Sequence, residues 1–530
     1  MRPDVIVIGS GFGGAVHACR LAQAGFAVLV LERGRRWQPE DFPRGPDDAW
    51  IFDIDEPEKQ NGWIDMRFLD DMWVAQGAGV GGGSLIYANV SIDARPDAFA
   101  SGWSAPISFE ALAPHYARVT EMLSPEVLPE TQLTLRHRLL REAAAKTGAS
   151  HRYRKVELAV SFDPEGSYPE TRPADERATK TFINRFGRTQ GYCVHAGNCD
   201  LGCKAGARNT LDLNYLAVAE DCGAEIRPLS LVSHVAAEGP GYAVVYDEIA
   251  GGRRVERVVR APRVVIAAGS LGSTEILFRS RDRFGTLPRV SRALGQGWSS
   301  NGDFLTPAFY PGRGLSPSIG PTITGAIDFL DGSDNGARYF VEDGGFADVI
   351  GNLVRARAKT GRSSRGGGLL KRLANALDDG DTFETMMPWF GQAMDGGDGR
   401  LYLGRDWLRP WKRRLKLDWD VVRSERGVGG LIAAHERLSR ATGGEARVPP
   451  TWTILRNLVT PHPLGGCAMA AAPAAGVVDH RGEVFGHPGL YVSDGAVFPR
   501  PIGLNPSKTI AALAERAAAL MIADERPAGS

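Results

Sequence analysis

Three groups of residues in this chain have types and spacings that could do chemistry. The first is Gly9-Ser10-Gly11-Phe12-Gly13-Gly14, with Glu32 lying 18 residues beyond Gly14. Gly9 permits a tight bend, Gly11 lets a pyrophosphate approach the backbone, and Gly14 lets a helix pack closely on a strand. A helix opening at this point adds amide donors and roughly half a positive charge for phosphates. A carboxylate at Glu32 can then hold both hydroxyls of a ribose. The second group is His462, in the run PHPLGG, together with Asn505 in GLNPSK. An imidazole titrates near neutrality and suits proton transfer, and a side-chain amide at the start of a helix can hydrogen-bond a substrate oxygen at a defined depth. The third is CVHAGNCDLGC, which holds Cys193, Cys199 and Cys203 with His195 between them. Its spacing fits neither the usual zinc pairs nor the ferredoxin runs, so it reads as small buried residues in a tight loop, with no metal.

The elements that must position these groups are also legible. Val5–Ile8 is a short β-branched run directly before the glycines. Small and apolar residues then run as a helix to about Gln23, Gly25 stops it, and residues 27–31 form a second strand ending at Glu32. A lone glycine motif is weak, but strand, loop, helix, strand and acid in order specify a dinucleotide site. Within 69–87, Gly77, Gly79, Gly81, Gly82 and Gly83 crowd one loop between Met72, Trp73, Val74 and Leu85, Ile86. That density reads as backbone pressed against a flat ring system rather than as a linker.

The remainder divides by texture. Residues 37–63 make an irregular excursion, 107–123 and the stretch to Gly148 read as helices, and 209–219 reads as another. Strands at 224–226, 229–235, 242–246 and 254–260 suggest an antiparallel meander, followed by a buried strand and glycine at 264–270 and a helix at 272–280. Between about 301 and 459, strand-like pieces (304–310, 338–341, 400–403, 415–419) alternate with Gly- and Asp-rich turns and a polar span near 362–372. Trp389, Phe390, Trp407, Trp411 and Trp419 fall in this half and are mostly core, with one or two lining a pocket. A buried strand ending at Asp494-Gly495 and an amphipathic helix over 503–520 bring the chain back; Asn505 reads as its N-cap and Pro506 as its first residue.

Composition excludes several classes. The 530 residues carry 62 basic and 62 acidic side chains, so no net field attracts nucleic acid or a charged membrane. There is no apolar run of about 20 residues, so no membrane span is expected, and the N-terminus lacks a signal pattern, which points to a cytoplasmic protein. Six cysteines in this length are not a disulfide framework.

Taken together, GSGFGG with Glu32, GAGVGGGSLIYAN, AAGSLGSTEIL, and HPLGG with DGAVFP and GLNPSKTIAALAER resemble the glucose–methanol–choline (GMC) family of FAD-dependent alcohol oxidoreductases. Within it, the stretch CDLGCKAGARNTLDLNYLAVAEDCGAEIRPL and the pair His462/Asn505 are most similar to the bacterial cholesterol oxidase branch. The resemblance implies an α/β protein: a Rossmann-like FAD-binding domain (1–45, 70–105, 205–305 and 460–530) and a substrate-binding domain on a mostly antiparallel sheet with helices (46–69, 106–204 and 306–459). It implies non-covalent FAD, with Gly9, Gly11, Phe12, Gly13, Gly14 and Glu32 on the ADP half. Gly79, Gly82, Gly83, Ser84, Tyr87, Ala88, Asn89 and Val90 would run along the ring, and Val232 would reach the adenine. Ala268 and Gly269 would close the phosphate side, and Asp494, Gly495, Pro506 and Ser507 would sit towards the pyrimidine. A small residue is usual in the family where Tyr87 stands.

The same resemblance implies oxidation of an alcohol, with His462 as the base and Asn505 assisting. The helix after Asn505 would favour negative charge on the reduced ring. The substrate is expected to be bulky and apolar, sterol-like or aromatic, with oxygen or another electron acceptor as the second partner; transient contact with a membrane surface is compatible with this. Cholesterol oxidases also use a glutamate to move a double bond. Glu342, in FVEDGGF, is the nearest candidate, but the run reads as a solvated turn, so oxidation and not isomerisation is expected. The alternatives are a reductase or desaturase of the fumarate reductase or ketosteroid dehydrogenase type, and a flavin-binding protein without turnover.

Overall fold

The computed structural model describes residues 2–45, 47–70, 72–347, 383–406, 412–449, 452 and 458–525. The chain is an α/β protein organised around a parallel five-stranded sheet. Its strands run in the order Leu490–Val492, Arg263–Ile266, Val5–Ile8, Val28–Leu31, Glu225–Arg227. The first strand sits at the centre, paired in register with Arg263–Ile266 on one side and Val28–Leu31 on the other. Val5, Ile6, Val7 and Val30 are wholly buried, as continuous β-branched runs demand when both faces of a sheet are covered.

The helix Phe12–Gln23 follows the first strand and packs against the C-terminal helix Ser507–Glu525. The contact is pinned by Glu515, which is fully buried and accepts from Arg20 Nη2 at 2.7 Å and from the Tyr215 hydroxyl at 2.8 Å. A carboxylate so deep in the interior is tolerable only with such partners. Three of the four strands expected to form a meander do so, as the antiparallel ribbon Ser230–Glu238, Gly241–Ala250 and Arg253–Ala261; the first, Glu225–Arg227, joins the parallel sheet instead.

The second large element is a six-stranded antiparallel sheet in the order Glu445–Ala446, Phe304–Phe309, Met386–Ala393, Tyr339–Asp343, Gly325–Asp328, Tyr153–Lys155. Register assigns its two faces. Thr306, Trp389 and Asp343 form one cross-strand row, and Leu305, Phe390 and Glu342 form the next. Because side chains alternate along a strand, the first row meets helices. Thr306 bonds His435 and Trp389 donates to Ser439, both on Glu425–Ala441, while Asp343 pairs with Arg136 on Leu135–Lys146. The second row faces the other way, and Leu305 and Phe390 line a cavity.

Two sequence expectations need correction here. The helix expected over 209–219 is a single 3-10 turn, Leu211–Leu213, followed by a helix over Tyr215–Asp221. The Asn209 side chain is engaged elsewhere, donating to the Leu123 carbonyl at 2.7 Å, and Asn214 instead supplies the cap, accepting from the Tyr215 amide at 2.7 Å. The final helix begins at Ser507, because the Ile510 amide bonds the Pro506 carbonyl. That makes Pro506 the cap position and leaves Asn505 outside the helix. Trp389 is core as expected. Trp407, Trp411 and the polar span at 362–372 lie outside the described residues.

Candidate active site

The glycine motif divides into two physical classes. A Cβ on Gly9 would sit 2.3 Å from the Ala267 carbonyl oxygen, on Gly13 1.6 Å from that of Ser493, and on Gly14 2.0 Å from that of Gly9. These three are glycine because backbone meets backbone, and Gly9 also has φ +96°. Gly11 is different. Its Cβ would meet nothing closer than Gly82 and Gly83 atoms at 3.9 Å, and a Cβ on Gly83 would meet only the Phe12 ring at 4.0 Å. The chain's own packing does not require glycine at either place. Both leave bare backbone facing a cavity of about 460 Å³ that they line.

Glu32 lies on the same cavity wall and is almost fully buried. Its Oε2 accepts from the Ser10 amide at 3.1 Å and the Ser10 hydroxyl at 2.6 Å, and its Oε1 accepts from the Gly34 amide at 3.0 Å. The Gly81 amide donates to the Ser10 hydroxyl at 3.1 Å, so the two glycine loops are tied together through this carboxylate. Bare backbone, an oriented carboxylate and a helix N-terminus form a cradle that fits the ADP half of a dinucleotide.

Most residues assigned to the cofactor from sequence do line the cavity: Gly9, Gly11, Phe12, Gly13, Glu32, Gly82, Gly83, Tyr87, Ala88, Val90, Val232, Ala268, Gly269, Asp494, Gly495, Pro506 and Ser507. Four do not. Gly14 packs on Gly9, and Gly79 abuts the Trp37 ring. The Ser84 hydroxyl bonds the Gly81 carbonyl at 2.8 Å, and the Asn89 side chain accepts from Arg208 Nε at 2.8 Å behind the wall. Tyr87 fills its larger space by setting its ring at 62° to Phe12, with centroids 5.5 Å apart, and by taking the Arg208 guanidinium over its face. Asp494 accepts from the Gly269 amide at 2.8 Å and from the Ser273 hydroxyl at 2.5 Å, capping the helix Gly269–Phe278 from a distant segment. Burial nevertheless pushes its carboxyl up to about 6.

At the other end of the cavity stands His462. Its Nδ1 lies 2.8 Å from Asp303 Oδ1, and the other Asp303 oxygen accepts from the Thr460 hydroxyl at 2.5 Å. Thr460 in turn accepts from the His462 amide at 2.9 Å. An Nδ1–H donated to a carboxylate leaves Nε2 as the free ring nitrogen. Burial works against a charged imidazole, but the charge and hydrogen bond of Asp303, aided by Glu342, outweigh it and hold the His462 pKa above its ordinary value.

Glu342 is the main correction at the site. It is not a solvated turn acid: the strand Tyr339–Asp343 carries it into the interior with no exposed surface. Gln392 Nε2 donates to its Oε2 at 3.0 Å, while Oε1 has no partner. Burial pushes its carboxyl up to about 7, against the hydrogen bond from Gln392 and the charge of His462. The Asn505 Oδ1 is likewise buried and unpartnered. Asn505 is placed by Asn301, whose side chain donates to the Leu504 carbonyl at 2.8 Å and accepts from the Ile502 and Gly503 amides at 3.1 and 2.9 Å. Asp303, Gln392 and Asn301 carry no signature in the sequence, and Ser10 occupies an unspecified position inside the glycine motif. The three cysteines of the cysteine loop do not line the cavity: burial lifts the Cys199 thiol to about 11, and its carbonyl accepts from Arg208 at 2.8 Å.

A dinucleotide cradle running into a cavity that ends on an imidazole and an amide, with a buried carboxyl acting on both, defines a cofactor-dependent oxidoreductase. Known proteins give the family. The N-terminal model of the GMC oxidoreductases matches residues 4–294 and the C-terminal model matches 425–514. Cholesterol oxidase of Acinetobacter baumannii is 30% identical over 97% of this chain and 93% of its own length. Cholesterol oxidase of Mycobacterium tuberculosis is 31% identical over 98% and 91%. An FAD-dependent oxidoreductase from Chaetomium thermophilum shares the fold with a TM-score of 0.64 at 16% identity, covering 99% of this chain and 100% of that one. The chain belongs to the GMC oxidoreductase family, and it is an FAD-dependent enzyme that oxidises alcohols.

Proposed function

We propose that His462 is the base that takes the hydroxyl proton of a bulky, largely apolar alcohol, and that Asn505 holds the substrate oxygen. The observation carrying this reading is the convergence on one cavity of His462, oriented by Asp303, and of Asn505 with its unpartnered oxygen, while the buried Glu342 acts on both from within the six-stranded sheet. FAD supplies the hydride acceptor. Glu32 and the bare backbone at Gly11 and Gly83 would hold it, without a covalent bond; Cys193, Cys199 and Cys203 do not line the cavity. Asp303 keeps Nε2 as the proton-accepting nitrogen, and the apolar wall of Leu305, Ile323 and Phe390 excludes water and accepts an apolar substrate. The division into a FAD-binding domain (1–45, 70–105, 205–305, 460–530) and a substrate-binding remainder belongs to the same reading. So does oxygen as acceptor, on the strength of relatives named as oxidases.

Anaerobic addition of a panel of apolar alcohols should bleach the bound flavin, and His462→Ala should slow that reduction by roughly 10²–10⁴-fold. Stopped-flow rates unchanged by the substitution would remove His462 from the chemistry. The burial of Glu342 favours a second step. With a pKa near 7 it can take a proton from carbon next to a new carbonyl and return it elsewhere, moving a β,γ double bond into conjugation. Glu342→Gln should then still bleach the flavin but release the unconjugated ketone; a conjugated product from that variant would exclude the step.

A further inference from the structure

We propose that Asp200, together with Thr322, forms a second polar anchor in the substrate cavity, which accepts a hydrogen bond from a hydroxyl that the alcohol carries away from the carbon being oxidised. The inference rests on the alcohol-oxidation reading of the site and specifies the substrate further. Asp200 lies on the short turn Cys199–Leu201, within the cysteine loop, and lines the same cavity as His462. The surrounding wall is apolar, with Ile86, Ile323, Phe346 and Phe390. In such a wall a carboxylate is costly unless something hydrogen-bonds it.

The chain supplies only part of what Asp200 needs. Thr322, also on the cavity wall, eases its charge. Two guanidinium groups act on it electrostatically, but neither donates a hydrogen bond to it, and their terminal nitrogens are engaged elsewhere. Arg136 donates to Asp343 and to the carbonyls of Ile319, Pro321, Thr322 and Gly344. Arg208 donates to Asn89 and to the carbonyls of Ser84, Leu85, Tyr87 and Cys199. Burial lifts the Asp200 carboxyl to about 6, which leaves it an anion at neutral pH. An ionised carboxylate only accepts hydrogen bonds, at about four lone-pair positions. Thr322 has a single proton to give, so most of these positions stay open to the cavity. The nearby charge of Arg208 already offsets the negative charge, so a neutral O–H fits better than an ammonium group.

The test compares α,ω-alkanediols with 1-alkanols of equal chain length, titrated anaerobically into the FAD-loaded enzyme. Hydrogen bonds to charged groups correspond to roughly a tenfold to hundredfold gain. At the chain length that spans from His462 to Asp200, the diol should half-saturate flavin reduction at a concentration lower by that factor. In Asp200→Leu the diol-to-alcohol ratio should collapse towards one, and in Thr322→Val it should fall part of the way; the ratio is unaffected by a general loss of active enzyme. A ratio near one at every length in the native enzyme, or a ratio that survives in either folded variant, overturns the anchor. If neither series reduces the flavin, alcohol oxidation is what fails. Calorimetric binding of the same pairs to the native protein and to Asp200→Leu then decides the anchor by itself.

Discussion

His462 and Asp303 show how one residue's chemistry depends on another that sequence proximity does not reveal. They meet across 159 positions, and the carboxylate both fixes the ring tautomer and raises the imidazole's proton affinity. The sign of the consequence is definite. A base must be unprotonated to act, so activity rises as pH climbs through the His462 pKa, which lies above 6.5. Asp303→Asn removes the negative charge and lowers that pKa, so the acidic limb of the kcat/KM profile should move to lower pH while maximal reduction slows. A profile whose acidic limb stays in place would mean that another group titrates there. His462 and Asn505 were legible because each stands in a short distinctive run. Asp303 and Gln392 were not, since an isolated acid or amide has no periodicity to betray it. Glu342 was misjudged because EDGG has turn composition. The strand, however, runs to Asp343, and the turn begins only after both acids are inside.

Secondary-structure elements place these residues by threading rather than by length. The segment Ser299–Asp303 is the hub: its bridge to Leu464 fixes the approach to His462, Asn301 fixes the approach to Asn505, and Asp303 binds the imidazole. At the opposite end, the glycine turn offers a contrast between two similar substitutions. Gly13→Ala drives a methyl into the Ser493 carbonyl and should leave little folded protein. Gly11→Ala meets only ordinary contacts, so the apoprotein should melt within a degree or so of the parent while FAD affinity falls. Equal destabilisation of both apoproteins would mean that Gly11 serves packing rather than the cofactor. The strands of the parallel sheet and the first helix were readable to within a residue or two, because continuous apolar runs between glycines have few other uses, whereas the bounds of Gly269–Phe278 and Ser507–Glu525 were missed by two to five residues. The helix expected at 209–219 was not, because the Asn209 side chain is claimed by the neighbouring Leu123 turn.

On the scale of the whole molecule, the cofactor cradle joins segments from both chain ends and the middle, so FAD and fold should stabilise each other. A ligand that binds only the native state adds about 4 kcal/mol at a thousand times its Kd. Removing FAD should therefore lower the melting temperature and adding it back should restore it, and heat-denatured protein should release free flavin into the filtrate. Colour retained on the denatured chain would show a covalent link. The sequence announced this assembly through motifs at both ends. It could not announce how the six-stranded sheet sets one row towards helices and the next towards the cavity, because register is a property of paired strands.

The parallel sheet has an implication for biogenesis. Its outer strand, Leu490–Val492, is synthesised long after the strand whose edge it covers, Arg263–Ile266, next to the central strand. Until residues 490–492 leave the ribosome, that apolar edge has no partner, and an open edge of this kind invites association with other chains. Messages truncated before codon 490 should therefore yield aggregates rather than a smaller working enzyme, and overproduction should benefit from slow translation or abundant chaperones.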